Sequence, residues 1–145
     1  MAYGDAGRDA EAMAVYESLL NAAPKDTLLL TSMALLHQKN DASRALDFAE
    51  RAFRAAPSSP AVMDIYGWIL VQQGNLDEGL TLLRKAKLRA PALPEIRYHI
   101  AVALNKMGNP EDARHELHAA LKTGQFFDGA GDARQLLGKL AESRQ

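Results

Sequence analysis

The chain has 145 residues, a formal net charge of −1, 24% charged residues, 48% apolar residues and no cysteine. One ordinary globular domain has this size and balance. The absence of cysteine excludes disulfides and thiolate metal sites, and the absence of a basic excess argues against nucleic acid as a partner.

The predicted elements are all helices. The first runs over about residues 8–23. It is followed by helices near 27–39 and 42–56, near 60–73 and 76–90, and near 94–107 and 110–122. A last helix covers about 129–143. Gly7, Asn40, Gly74 and Gly108 recur at intervals of 33, 34 and 34. Ala12, Ala45, Gly79 and Ala113 keep that spacing, and Pro24, Pro57 and Pro91 close three of the units. A period near 34 with small residues in fixed places marks stacked helical hairpins. The chain therefore divides into a partial repeat (1–26), three repeats (27–59, 60–93, 94–127) and a cap helix (128–145).

The boundaries carry their own chemistry. Ser59 before Pro60 and Asn109 before Pro110 offer N-caps followed by proline in the first turn. Asn75 with Glu78 reads as a capping box. Gly74 and Gly108 stand where a helix end wants a left-handed residue. Ala34, Gly67 and Ala101 on first helices, and Ala12, Ala45, Gly79 and Ala113 on second helices, are predicted to let two backbones approach closely. The most apolar stretch, Leu28 to Leu36, is broken by Thr31 and Ser32 and is too short to cross a membrane.

These positions resemble the tetratricopeptide repeat. The third unit matches that family's pattern with Gly67, Gly74, Gly79, Leu83, Ala86 and Pro91. The fourth matches with Ala101, Gly108, Ala113, Leu117 and Ala120, although Gln125 replaces the closing proline. The second carries Asn40 for the turn glycine, and its first helix looks one residue short. The resemblance implies a right-handed, all-α solenoid of about three and a half hairpins plus a C-terminal cap helix. It also implies a non-catalytic scaffold that binds a protein or peptide in its concave groove.

A narrower resemblance lies in Tyr66 to Gly74, in Pro94 to Ala101, in Ala113 to Leu117 and in Asp132 to Leu137. These runs look like the last units of bacterial envelope tetratricopeptide lipoproteins linked to exopolysaccharide export and PEP-CTERM sorting. That likeness implies a periplasmic or envelope-associated place, and the residues alone leave a cytoplasmic one open. Only Met1 to Gly4 stand where the first helix of the first hairpin belongs. The chain is accordingly expected to be a fragment of a larger bacterial protein, with any targeting sequence upstream.

Helical phase directs a set of first-helix residues toward the groove. These are Thr31, Leu35, Gln38 and Lys39 in the second unit, and Asp64, Trp68, Val71 and Gln72 in the third. Glu95, Tyr98, Val102, Asn105 and Lys106 follow in the fourth. Trp68 and Tyr98 are the expected aromatic anchors, with packing between adjacent first helices as the competing role for Trp68. The family's clamp for a C-terminal carboxylate is not carried over, because its places hold Thr31, Leu35, Glu95 and His99.

The remaining candidates read as structural. His115 and His118 are expected to be solvated histidines, with no metal. The cluster Arg84, Lys85, Lys87 and Arg89 reads as an ordinary charged face. Of Phe126 and Phe127, at least one is expected to pack beneath the cap helix. No cofactor, catalytic constellation or membrane insertion is expected. The alternative to groove binding is a self-associating module: a homodimer through an exposed apolar face bearing Ala12, Tyr16, Leu19 and Leu20.

Overall fold

A computed structural model describes residues 2–143 of the chain, and it places eight helices there. Met1, Arg144 and Gln145, which belong to the expected partial repeat and cap helix, lie outside the described residues. The helices are α1 (Ala2–Ala22), α2 (Thr27–His37), α3 (Ala42–Ala55), α4 (Pro60–Gln72), α5 (Leu76–Arg89), α6 (Pro94–Lys106), α7 (Pro110–Lys122) and α8 (Ala130–Ser143). Among the described residues there is no strand. No described helix is long and apolar enough to cross a membrane.

The N-terminal boundary departs from expectation. Helix α1 begins at Ala2 and not near Arg8, because nothing between Ala2 and Arg8 breaks a helix: Gly7 lies inside it and no proline intervenes. Helix α2 has 11 residues against 13 in α4 and α6, in keeping with the shortfall read from the sequence.

Local chemistry sets the helix starts. Asp26 accepts from the Leu29 amide at 3.1 Å, Asp41 from the Arg44 amide at 3.2 Å and Ser59 from the Val62 amide at 3.3 Å. Each satisfies one of the orphan donors at a helix N-terminus. Asn75 and Asn109 cap with no side-chain bond, and the capping box expected at Asn75 and Glu78 is not formed. A capping box would need Glu78 to accept from the Asn75 amide, and that amide is engaged in the preceding turn. The amide of Asn75 already donates to the Leu70 carbonyl at 2.8 Å, and that of Asn109 to Leu104 at 2.9 Å. These are the closing bonds of a helix C-cap whose left-handed residues, Gly74 and Gly108, have φ of 89° and 85°.

The hairpins α2–α3, α4–α5 and α6–α7 stack side by side. First helices touch first helices (α2 with α4, α4 with α6), while α3 packs on α4 and α5 on α6. Helix α1 packs on α2, and α8 closes the other end against α6 and α7. Two apolar clusters result. One holds Leu20, Leu30, Met33, Phe48, Ile69 and Leu70; the other holds Leu83, Ile96, Ile100, Leu104, Leu117 and Phe127, among others. Phe53 packs against both and joins them.

Small residues bring the paired backbones together. A Cβ built on Gly79 would lie 2.8 Å from the Gly67 carbonyl oxygen and 2.7 Å from Val71 Cγ2. Ala34, Ala45, Ala101 and Ala113 are fully buried at the equivalent places. One ionic contact ties α5, α6 and α7. Glu116, buried on α7, accepts from Lys87 at 2.8 Å and from Arg97 at 3.1 Å. Burying a carboxylate is costly unless it is matched in this way.

Candidate functional site

First helices of successive hairpins line one side of the stack, and the C-terminal end of α2, the middle of α4 and the N-terminal half of α6 enclose a hollow of about 370 Å³. Helix α2 contributes Leu35 and the adjoining Gln38, and α4 contributes Ala61, Asp64, Ile65 and Trp68. Helix α6 and its preceding residue add Leu93, Glu95, Ile96 and His99, and Asp128 reaches in from the α7–α8 linker. Apolar and polar side chains are interleaved in the lining: Leu35 and Leu93 are exposed, while Asp64 and His99 are largely buried.

Trp68 is held at the centre. Its ring stacks on His99 with centroids 4.1 Å apart and planes 20° apart, and meets Tyr98 at 5.9 Å. His99 is fixed in turn by Asp64: its Nδ1 lies 2.7 Å from Asp64 Oδ1. A carboxylate only accepts, so the imidazole Nδ1–H is the donor and Nε2 is left for a further contact. Glu95 is part-buried, and its carboxyl is raised above the ordinary glutamate range. Burial is the main cause; the negative charges of Asp64 and Asp128 add to it, and His99 opposes it. The Tyr98 hydroxyl is raised as well, by burial and then by Asp132.

The residues expected in the groove divide in the structure. Leu35, Gln38, Asp64, Trp68 and Glu95 line the hollow together. Lys39 lines a neighbouring hollow of about 430 Å³ with Asp9, Ala12, Tyr16, Ser32 and Leu36, and Leu35 is common to both. Gln72 and Lys106 are exposed, and Val102 and Asn105 half-buried, toward the C-terminal ends of α4 and α6 and outside both hollows. Three others are buried. Thr31 turns its hydroxyl back to the Thr27 and Leu28 carbonyls. Val71 packs where Gly79 lacks a side chain. Tyr98 lies under Phe127 and Gly129, with the Phe127 ring 6.5 Å away.

Ile65, Leu93, Ile96, His99 and Asp128 were not among the residues expected to form the site. His99 and Asp64 are 35 positions apart, one more than the repeat, which lets the two side chains meet across neighbouring first helices. Asp128 comes from the α7–α8 linker, which is three residues longer than the linkers before α4 and α6.

The apolar face expected on α1 is also redrawn. Leu20 is buried and Tyr16 half-buried against the first core cluster, so of the four residues Leu19 is the one left exposed, with Val15 one turn before it. His115 and His118 are exposed, as are Arg84, Lys85 and Arg89, while Lys87 reaches the buried Glu116. His37 is buried, with its ring stacked on Phe48 at 5.6 Å and its Nε2 without a partner. Phe127 is buried beneath α8 and Phe126 is exposed. Among the described residues, no group of three or more histidines and carboxylates is placed to hold a metal ion.

Residues 70–140, from the end of α4 into α8, match the family described as tetratricopeptide repeat. The hairpins have the fold of tetratricopeptide repeats. Solved structures with the same fold include MamA, at 16% identity and a TM-score of 0.75, covering 97% of this chain and 81% of that one. PilF of Pseudomonas aeruginosa aligns with a TM-score of 0.81 at 16% identity, over 99% of this chain and 64% of that one. PilW, described as a widely conserved type IV pilus biogenesis factor, aligns at 0.78 with 23% identity, over 97% of this chain and 68% of that one. At these identities the likeness establishes the solenoid and nothing about partners. No curated protein matches the chain in sequence.

Proposed function

We propose that this tetratricopeptide solenoid is a non-catalytic scaffold that holds a segment of a partner protein in the trough of α2, α4 and α6. The carrying observation is the hollow itself: three successive first helices present Leu35, Trp68 and Glu95 to one space. The apolar side chains Leu35, Ile65, Trp68 and Leu93 give a partner area to bury, and Gln38 and His99 Nε2 give it polar contacts. The envelope association implied by the sequence resemblance is part of this reading. PilW's description as a pilus biogenesis factor suggests the same setting.

The test is affinity capture from the source cell with the wild-type chain and with Leu35→Arg. Leu35 is 45% exposed, so the substitution alters the trough and spares the core. A partner retained by the wild type and lost by Leu35→Arg, with helicity equal by circular dichroism, supports the proposal. Equal retention by both contradicts it.

A second reading rests on Val15 and Leu19, which are 57% and 49% exposed one turn apart on α1. An apolar face of that kind suits a second copy of the chain. Light scattering of wild type and Val15→Glu/Leu19→Glu tests it: a dimer that the double substitution dissociates supports self-association, and a wild-type monomer removes it.

A further inference from the structure

The hollow carries a charge pattern that groove binding alone does not explain. Its lining holds three carboxylates, Asp64, Glu95 and Asp128, and no lysine or arginine. They come from α4, α6 and the α7–α8 linker, so the tertiary fold assembles them. Among the described residues their one ion-pair partner is His99, on Asp64. The buried Glu116 shows the contrast, since two cations of the chain itself match it. In the hollow that compensation is missing. Glu95 feels both neighbouring carboxylates, and their charge adds to its burial in holding its carboxyl high. A cation placed among the three relieves that repulsion and gains their attraction. Around them lie Leu35, Ile65, Leu93, Ile96 and the Trp68–His99 stack. An aliphatic stem can rest there while its charged head meets the carboxylates.

We infer that the occupant of the hollow is a basic and apolar segment of a partner protein, which sets a lysine or arginine among Asp64, Glu95 and Asp128 and lays apolar area on Trp68. This rests on the trough being the binding site. It goes further in fixing the sign of the partner's charge, and it excludes an acidic tail as ligand.

Trp68 is the single tryptophan of the chain and therefore reports occupancy by its emission. A random peptide library is panned against the full chain, and synthetic copies of the enriched peptides are titrated while Trp68 fluorescence is followed. The expected peptides carry lysine or arginine beside an apolar residue, shift the Trp68 emission and bind more weakly as salt rises. The double variant Glu95→Gln/Asp128→Asn should weaken them about tenfold. Enriched peptides that shift Trp68 emission but are neutral or acidic, or that bind the double variant equally well, overturn the charge assignment and leave the trough standing. Peptides that leave Trp68 unmoved and bind Leu35→Arg as well as wild type overturn both, and so does a library that yields no enrichment.

Discussion

The closest approach in the solenoid makes a sharp prediction. In Gly79→Ala the new methyl would lie 2.7 Å from Val71 Cγ2 and 2.8 Å from the Gly67 carbonyl oxygen. The second contact is backbone, so α4 and α5 must move apart. Overpacking of this kind costs about 2–3 kcal/mol where no side chain can yield, and the better helix propensity of alanine returns about 1 kcal/mol. The net loss of about 1–2 kcal/mol lowers the melting temperature of a domain this size by roughly 3–7 °C. Gly138 is the internal control. It lies within α8, and a Cβ there meets nothing within 4 Å. Gly138→Ala should therefore raise the melting temperature by up to about 4 °C through propensity alone. Thermal melts followed by circular dichroism at the helical minimum measure both. If the two substitutions shift the midpoint in the same direction, the close-approach argument fails.

Further predictions follow from single side chains. Glu116→Gln leaves Lys87 and Arg97 half-buried without their counter-charge and should cost about 1–3 kcal/mol in denaturant unfolding. Glu17→Gln, at an exposed pair with Arg44 of 3.8 Å, should cost under about 0.5 kcal/mol, and equal losses would refute the distinction. His37→Phe keeps the stack on Phe48, removes a buried nitrogen without a partner and should raise stability by about 1 kcal/mol; a fall would show that nitrogen to be satisfied by water. Glu95 tests the electrostatics through pH. Its carboxyl is raised in the folded chain, so the unfolded chain gives up its proton first, and stability present at low pH is lost as pH rises through the raised value. Glu95→Gln should therefore raise the melting temperature at neutral pH, with the gain vanishing below the ordinary glutamate range. A gain equal at both pH values would contradict the raised carboxyl.

The solenoid was legible because its geometry is enforced by residue size. Gly67, Gly79 and the alanines at the same register are where two helix backbones meet, and nothing larger fits without displacement. The turns were legible through Gly74 and Gly108 for the same kind of reason. The site was legible in part. Helical phase alone directs Asp64, Trp68 and Glu95 to the trough, and they line it. It directs Val71 and Tyr98 there too, yet both are buried by contacts that phase does not encode. Val71 fills the space beside Gly79, and Tyr98 is covered by Phe127 and Gly129 from the linker before α8. Asp128 was hidden because the α7–α8 linker is three residues longer than the linkers before α4 and α6 and so falls out of their register. His99 was hidden because its role depends on meeting Asp64 and Trp68 across two helices. Glu116, beside two solvated histidines in the sequence, gave no sign that Lys87 and Arg97 converge on it.

The central claim is that the trough of first helices is where the partner sits. Backbone amide shifts of the isotope-labelled chain, followed while an enriched basic peptide is added, test it most directly. The largest changes should fall on α2, α4 and α6, with the Trp68 indole N–H among them and α3, α5 and α7 little moved. Changes centred on the outer faces of α3, α5 and α7, with the Trp68 indole unmoved, would contradict the account.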